Sequence, residues 1–186
     1  MKKSDNSSGA HLIPAHGGYR ELKSYQNAEI VYDATVKFCE KFIDRRSRTH
    51  DQMVQAARSG KQNIAEGSMA SGTSKKFELK LVGVARASLE ELLLDYQDFL
   101  RQRQLPLWDK GHAKARDIRA LAYYSTYRTY IEEAPAEVAA NTLICLIHQS
   151  NYLLDLLLRQ LEQKFLEEGG FTEKLYRTRS QARKPR

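Results

Sequence analysis

The sequence has few residues that interrupt helices and few that cross-link the chain. Its 186 residues include only 10 glycines and 4 prolines, a scarcity that favours long uninterrupted helices over short strands and turns. The longest apolar run, residues 143–147, is far shorter than the roughly 20 residues needed to cross a bilayer. The two cysteines, Cys39 and Cys145, form no CxxC pair. A disulfide between them is possible in principle, but two buried thiols in a reducing compartment fit the sequence better.

Residues 1–18 have no continuous apolar segment, so they lack the pattern of a secretory signal peptide. Polar and small residues dominate this stretch, which predicts a flexible N-terminal arm. The hydrophobic content of 41% and the charged content of 28% are typical of a soluble globular protein. We therefore expect a cytoplasmic protein with no membrane partner.

The residue patterns of metal centres and catalytic sites are also missing. The five histidines form neither an HxxxH pair nor the Glu-x-x-His pair of di-iron bundles; they are His11, His16, His50, His112 and His148. Of these, His148 is expected to be a partly buried, hydrogen-bonded group and not a ligand. Gly60-Lys61 is similar to the end of a phosphate-binding loop, but it has neither the earlier glycine nor the preceding strand. We predict no enzyme activity, no catalytic residue, no metal and no cofactor.

Four long amphipathic helices are predicted from apolar residues spaced by three and four. The first begins near Leu22, and the second follows Thr49 as a plausible N-cap and ends at Gly67. The third spans about 75–103 with Ser74 or Thr73 as its cap, and the last runs from Pro135 to about Glu167. Small residues on the second helix predict close approach of a neighbouring helix: Ala56, Ala57 and Gly60.

The predicted fold is all-α, an antiparallel four-helix bundle over residues 19–170. An irregular helical insert at about 104–134 precedes the last long helix, and a basic C-terminal tail covers 171–186. The last helix has apolar residues on more than one face, and residues 153–158 are leucine except for Asp155. So wide an apolar face predicts burial on a second side, in a homo-oligomer.

The formal net charge of +7 is concentrated at the two ends of the sequence. Residues 1–20 carry a net +2 and residues 171–186 a net +5, which leaves the body of the chain neutral. Six basic residues of the tail are candidate nucleic-acid contacts: Lys174, Arg177, Arg179, Arg183, Lys184 and Arg186. A second candidate set lies along the second and third helices: Arg58, Lys61, Lys75, Lys76, Lys80 and Arg86. Charge on a helix is more often simply its solvated face.

A cluster of tyrosines in the insert offers a further candidate surface. Tyr123, Tyr124, Tyr127 and Tyr130, with Arg119 and Arg128, have the side chains that stack on unpaired bases. Tyrosines so dense in an irregular helix more often cover a hydrophobic surface, and we favour packing over base stacking.

Several runs in the chain resemble one family of bacterial proteins. They are Leu22-Lys23-Ser24-Tyr25-Gln26-Asn27-Ala28, Gln52 with Ala57-Arg58, Asn63-Ile64-Ala65-Glu66-Gly67-Ser68, and Phe77 in the third helix. These runs resemble the four-helix bundle proteins encoded by insertions in large-subunit ribosomal RNA genes. That family also includes the accessory variability protein of diversity-generating retroelements. Asn141-Thr142-Leu143-Ile144-Cys145 and Gly169-Gly170-Phe171 are similar to the C-terminal suffix of a longer subgroup.

The resemblance implies an antiparallel bundle, a ring-like homo-oligomer (a pentamer in familiar members) and no catalysis. For the retroelement member it also implies binding to nucleic acid and to a reverse transcriptase. Asn63, Glu66 and Gly67 belong to the run that marks the family, but we favour a structural role for them. Asn63 and Glu66 are expected to satisfy backbone groups where the second helix ends, and Gly67 to supply a positive φ.

These observations favour a non-catalytic, oligomeric accessory protein that binds RNA or single-stranded DNA through backbone charge and shape. A reverse transcriptase is its candidate protein partner. The alternative is a structural adaptor between proteins with no nucleic-acid role. A bundle enzyme that uses a metal is disfavoured by the spacing of the potential ligands.

Overall fold

The computed structural model describes residues 13, 15–121 and 127–183. Every regular element in these residues is helical, and the six α-helices have the following bounds: α1 Lys23–Phe42, α2 Arg48–Ala70, α3 Lys75–Gln102, α4 Ala113–Ala120, α5 Ala136–Glu168 and α6 Phe171–Ala182. A 3-10 turn, Tyr19–Glu21, precedes α1, and a π-helical segment, Thr129–Glu133, precedes α5. The all-helical class predicted from the sequence is confirmed.

The helix ends follow local capping rules. The Ser74 side chain accepts a hydrogen bond from the Phe77 amide at 3.2 Å, as predicted for the start of α3. The predicted cap of α2 is wrong: Ser47, not Thr49, caps it, because the Ser47 hydroxyl accepts the Thr49 N–H at 3.2 Å. The end of α5 lies at Gly169, whose φ of +74° is a backbone conformation that favours glycine.

The end of α2 differs from the prediction because the helix does not stop at Gly67. It continues to Ala70, and Gly67 has no positive φ. A Cβ at Gly67 would lie 3.3 Å from the Glu78 carbonyl oxygen, so the glycine allows the close approach of two backbones. Asn63 donates to the Ser59 carbonyl at 2.9 Å within the helix, and Glu66 is exposed. Neither side chain caps the end of α2.

The four long helices share one hydrophobic core. α1 contacts α2 and α5, and α3 also contacts α2 and α5, so that each long helix has two long neighbours. An aromatic cluster lies between α1 and α3, where the Phe38 ring is 4.9 Å from the rings of both Tyr96 and Phe99. The buried Tyr96 hydroxyl donates to Thr35 Oγ1 at 3.1 Å, which satisfies its polar group inside the core.

The insert is attached to the start of α5 by one buried amide side chain. Asn141 Oδ1 accepts the Trp108 N–H at 2.8 Å, and Asn141 Nδ2 donates to the Pro106 carbonyl at 2.9 Å. The Trp108 indole N–H donates to Glu137 at 3.0 Å. Within the irregular helical insert predicted at about 104–134, α4 ends at Ala120, and residues 122–126 lie outside the described part of the chain.

Both cysteines are buried free thiols, as predicted. Burial, with a smaller contribution from Asp95, raises the pKa of Cys39 to about 12. Of the helices that the structure describes, none combines the length and the apolar character that a membrane crossing requires.

Candidate nucleic-acid interface

Three of the six basic residues predicted on α2 and α3 are engaged within the protein. The Lys61 ammonium lies 4.6 Å from the centroid of the Tyr32 ring. Lys75 and Arg86 pair with carboxylates: Lys75 Nζ is 3.4 Å from Glu78, and Arg86 bonds Glu90 at 2.6 Å and Asp155 at 3.2 Å. Arg86 therefore joins α3 to α5, and its positive charge is compensated by carboxylates of the protein itself.

The other three are exposed to solvent. Arg58 lies on α2, and Lys76 and Lys80 lie in the first two turns of α3. None of them pairs with an acidic side chain among the residues that the structure describes. The predicted surface is therefore not continuous along both helices, because its free cations are concentrated at the start of α3.

The basic tail forms a helix of its own, α6, which has no buried residue. Its N-terminus is closed by Glu173, whose carboxylate accepts the Gly170 N–H at 2.9 Å. Four predicted basic residues on or next to this helix are exposed: Lys174, Arg177, Arg179 and Arg183. The other two, Lys184 and Arg186, lie outside the described residues.

The helical period places apolar residues on one side of α6 and basic residues around the rest of its surface. At about 100° per residue, Phe171, Leu175 and Ala182 share one side of the helix. By the same geometry Lys174 lies to one side of that line, Arg179 and Arg183 lie to the other side, and Arg177 lies on the opposite face. Phe171 and Leu175 are only half-buried, so the apolar side of α6 remains partly accessible.

The fold brings the two predicted basic sets together at one end of the molecule. Lys75, at the start of α3, and Lys174, in the first turn of α6, line the same depression, which the acidic Glu168 also lines. The carboxylate of Glu78 lies 3.4 Å from Lys75 Nζ at the start of α3. Burial raises its pKa, while the charge and hydrogen bond of Lys75 and the charge of Lys164 act in the opposite direction.

The tyrosines of the insert that the structure describes are packing residues. Tyr127 is buried, and its hydroxyl donates to the Leu121 carbonyl. Tyr130 packs against the core, which agrees with the packing interpretation. Tyr123 and Tyr124 lie outside the described residues, and Arg128 bonds Glu132 at 2.9 Å.

A cavity beside the insert was not predicted from the sequence. It is lined by the loop before α4, by α4 itself and by α3 and α5, and His148 lies at its edge. The prediction that His148 is partly buried is wrong, because the side chain is exposed. The loop and α4 leave space over this part of α5 and do not cover it. No local pattern reveals such a cavity, since its walls come from segments far apart in the chain.

In the parts of the chain described by the structure, no three histidine, cysteine or carboxylate side chains are grouped as metal ligands would be. The observations therefore centre on the basic end formed by α6 and the start of α3. Comparison with known protein families, curated proteins and solved structures finds no match to this chain.

Proposed function

We propose that the four long helices form an antiparallel four-helix bundle and that the protein is a non-catalytic accessory protein that binds RNA or single-stranded DNA. The helix arrangement is supported by pairs of neighbouring residues that run in opposite order along two adjacent helices. These pairs are Gly60 with Leu89 and Gly67 with Leu81 for α2 and α3, and Arg86 with Asp155 and Asn151 with Glu90 for α3 and α5.

The observation that carries the nucleic-acid proposal is the exposed basic helix α6. A 12-residue helix that buries no side chain is marginal in water on its own. Its three exposed cations and Arg183 directly after it repel one another, and its acidic residue, Glu173, is already bonded to the helix start. A chain of phosphates would relieve this repulsion and release counterions, which is the main source of affinity for a nucleic-acid backbone.

The position of α6 supports a single continuous contact. Lys174 lines the same depression as Lys75, which pairs with Glu78, and the unpaired Lys76 and Lys80 follow on the exposed side of α3. A phosphate backbone crossing this end would meet both sets of cations. The contact would recognise charge and backbone shape, since the depression at the described basic end has a volume of only about 60 Å³ and offers no pocket sized for a base.

We further propose that the protein acts as a homo-oligomer, with about five subunits as the family resemblance implies. The outer side of α3 exposes Phe77 (46%), Val84 and Leu94 (57%), and α5 exposes Leu156 and Leu166. Apolar side chains repeated on outward faces favour contact with protein surfaces. A ring would place several copies of the basic end side by side and so strengthen binding. Light scattering that shows a 21.4 kDa monomer at micromolar concentration would contradict the oligomer.

The test of nucleic-acid binding is a salt titration with single-stranded RNA and DNA, performed on the full chain and on a truncation after Gly170. For every phosphate that the protein no longer neutralises, the slope of log affinity against log salt should flatten by about 0.7. Replacing Arg177, Arg179 and Arg183 by glutamine should flatten it by about 2, if each arginine binds one phosphate. The matched control neutralises three other arginines with exposed side chains, Arg45, Arg46 and Arg48, and should leave the slope unchanged.

Equal slopes for the full and truncated chains would remove α6 from the binding surface. If the control variant at Arg45, Arg46 and Arg48 flattened the salt slope equally, net charge and not the position of the cations would determine binding. Absence of binding by every variant would favour the adaptor between proteins. In that case the exposed apolar side chains of α3 and α5 would be the surface to map, and a reverse transcriptase the first partner to test.

A further inference from the structure

The cavity beside the insert has the size of a small-molecule site. Its volume is about 570 Å³, within the range of roughly 300–1,000 Å³ that is common for ligand pockets. Its walls are contributed by α3, the loop at 105–112, α4 and α5. Asn141 fixes the loop against α5, so the cavity lies between elements that are held in place.

The floor of the cavity is apolar and almost fully buried. Four side chains form it, and each is at most 8% exposed: Trp108, Ala115, Ile144 and Cys145. The Trp108 ring is itself fixed, since it stacks on His112 with an interplanar angle of 5°. At the opening, Leu107 and Tyr152 are 53% and 64% exposed and leave apolar surface in water. An aromatic body placed here would cover both the floor and the opening.

One wall of the cavity presents a fixed cation. The half-buried Arg119 guanidinium donates to the Lys110 carbonyl at 2.8 Å and hydrogen-bonds the Cys145 side chain. A guanidinium has five N–H groups, so donors remain for a ligand. Lys110 adds a second positive charge. Among the described residues that line the cavity the acidic one is Asp109, whose carboxylate accepts the Gly111 N–H at 2.6 Å.

The buried thiol next to Arg119 does not compensate this charge. Burial raises the pKa of Cys145, although the charge and hydrogen bond of Arg119 act in the opposite direction. The sulfur is therefore uncharged at neutral pH, and the cavity keeps an excess of positive charge. Anions are attracted to such a site, and the apolar floor selects anions that carry an apolar body.

We propose that this cavity binds a small aromatic carboxylate, with its ring between Trp108 and Tyr152 and its carboxylate on Arg119. A carboxylate is the natural partner because the planar guanidinium matches its two oxygens. The inference does not depend on nucleic-acid binding, since none of the cavity residues belongs to the basic end. It assigns the insert a role as the wall of a ligand site.

The test is isothermal titration of the full protein with 2-naphthoate and with its neutral analogue, 2-naphthamide. We expect saturable binding of 2-naphthoate and at least about tenfold weaker binding of the amide, equivalent to about 1.4 kcal/mol. Arg119→Gln should abolish this preference for the acid. Arg116→Gln is the matched control, because Arg116 is an exposed arginine on the same helix that does not line the cavity.

A second variant separates the ring contact from the charge and does not depend on Arg119. Tyr152→Ala changes a largely exposed side chain and should weaken both compounds by a similar factor while the melting temperature stays unchanged. Equal binding of acid and amide by the wild type, or unchanged binding by both variants, would overturn the proposal. Displacement of 2-naphthoate by millimolar inorganic phosphate alone would also overturn it, since the cavity would then be an unselective anion site.

Discussion

Gly60 lies in α2 where the helix presses against the fully buried side chain of Leu89 in α3. A Cβ added at Gly60 would lie 2.6 Å from Leu89 Cδ2 and 2.8 Å from Leu89 Cγ, both too close for carbon atoms. Leu89 has no exposed surface, so it can move only by displacing its neighbours in the core. The Gly60→Ala variant must therefore displace Leu89 or separate the two helices.

Two opposing effects determine how far Gly60→Ala changes the free energy of unfolding. Alanine is better than glycine inside a helix by about 1 kcal/mol, whereas overpacking a core costs about 1–3 kcal/mol. The net expectation is a decrease of about 1 kcal/mol in the free energy of unfolding. For a chain of this size, that decrease lowers the melting temperature by about 2–4 °C.

Gly83 provides the matched control. It lies inside α3, and a Cβ there would meet no atom within 4 Å. Gly83→Ala should therefore keep the gain of about 1 kcal/mol and melt at a higher temperature than the wild type. Since the helix-forming gain is common to both variants, the difference between their unfolding free energies measures the packing cost alone.

The assay is urea unfolding followed by circular dichroism at a fixed protein concentration. In a Leu89→Ala background, Gly60→Ala should stabilise the protein instead of destabilising it, because the shorter side chain at position 89 makes room for the added methyl group. If Gly60→Ala and Gly83→Ala stabilise the protein equally, the close contact between α2 and α3 is absent and the packing argument fails.

Two further substitutions test the insert and the half-buried carboxyl group of Asp95. Asn141→Leu removes the hydrogen-bond partners of the Trp108 N–H and the Pro106 carbonyl. The free energy of unfolding should fall by at least about 1–3 kcal/mol, and Trp108 emission should shift to longer wavelength. A variant with the stability and the emission of the wild type would contradict this role of Asn141. Burial, and then the negative charges of Glu91 and Asp98, raise the pKa of Asp95 above its ordinary value of 3.8. The protonated Asp95 side chain therefore contributes stability at low pH, and this contribution is lost as the pH rises. Asp95→Asn should therefore stabilise the protein at pH 7 by less than about 1 kcal/mol, and a gain of the same size at about pH 3.5 would refute the assignment.

The helices can be predicted from the sequence because their signals are local. The spacing of apolar residues and the Ser74 cap lie within a few residues of the elements that they determine, and the pattern predicts α3 over 75–103 where the structure has Lys75–Gln102. The same holds for the buried free thiols, since Cys39 and Cys145 occupy positions within amphipathic patterns. Local rules are less reliable at the end of α2, because a glycine near a turn there suggests a positive φ that the backbone does not adopt.

Only the tertiary structure decided the roles of Gly67, Arg86 and the cavity. Gly67 is needed because the α3 backbone lies close to it, and Arg86 is neutralised in part by Asp155 from a different helix. The cavity requires Arg119, Trp108 and Tyr152 to meet across three separate segments. Such contacts depend on how helices pack and not on the residues beside them in the chain. Helix formation is governed by neighbours three and four positions away, but a binding surface is governed by distances in space.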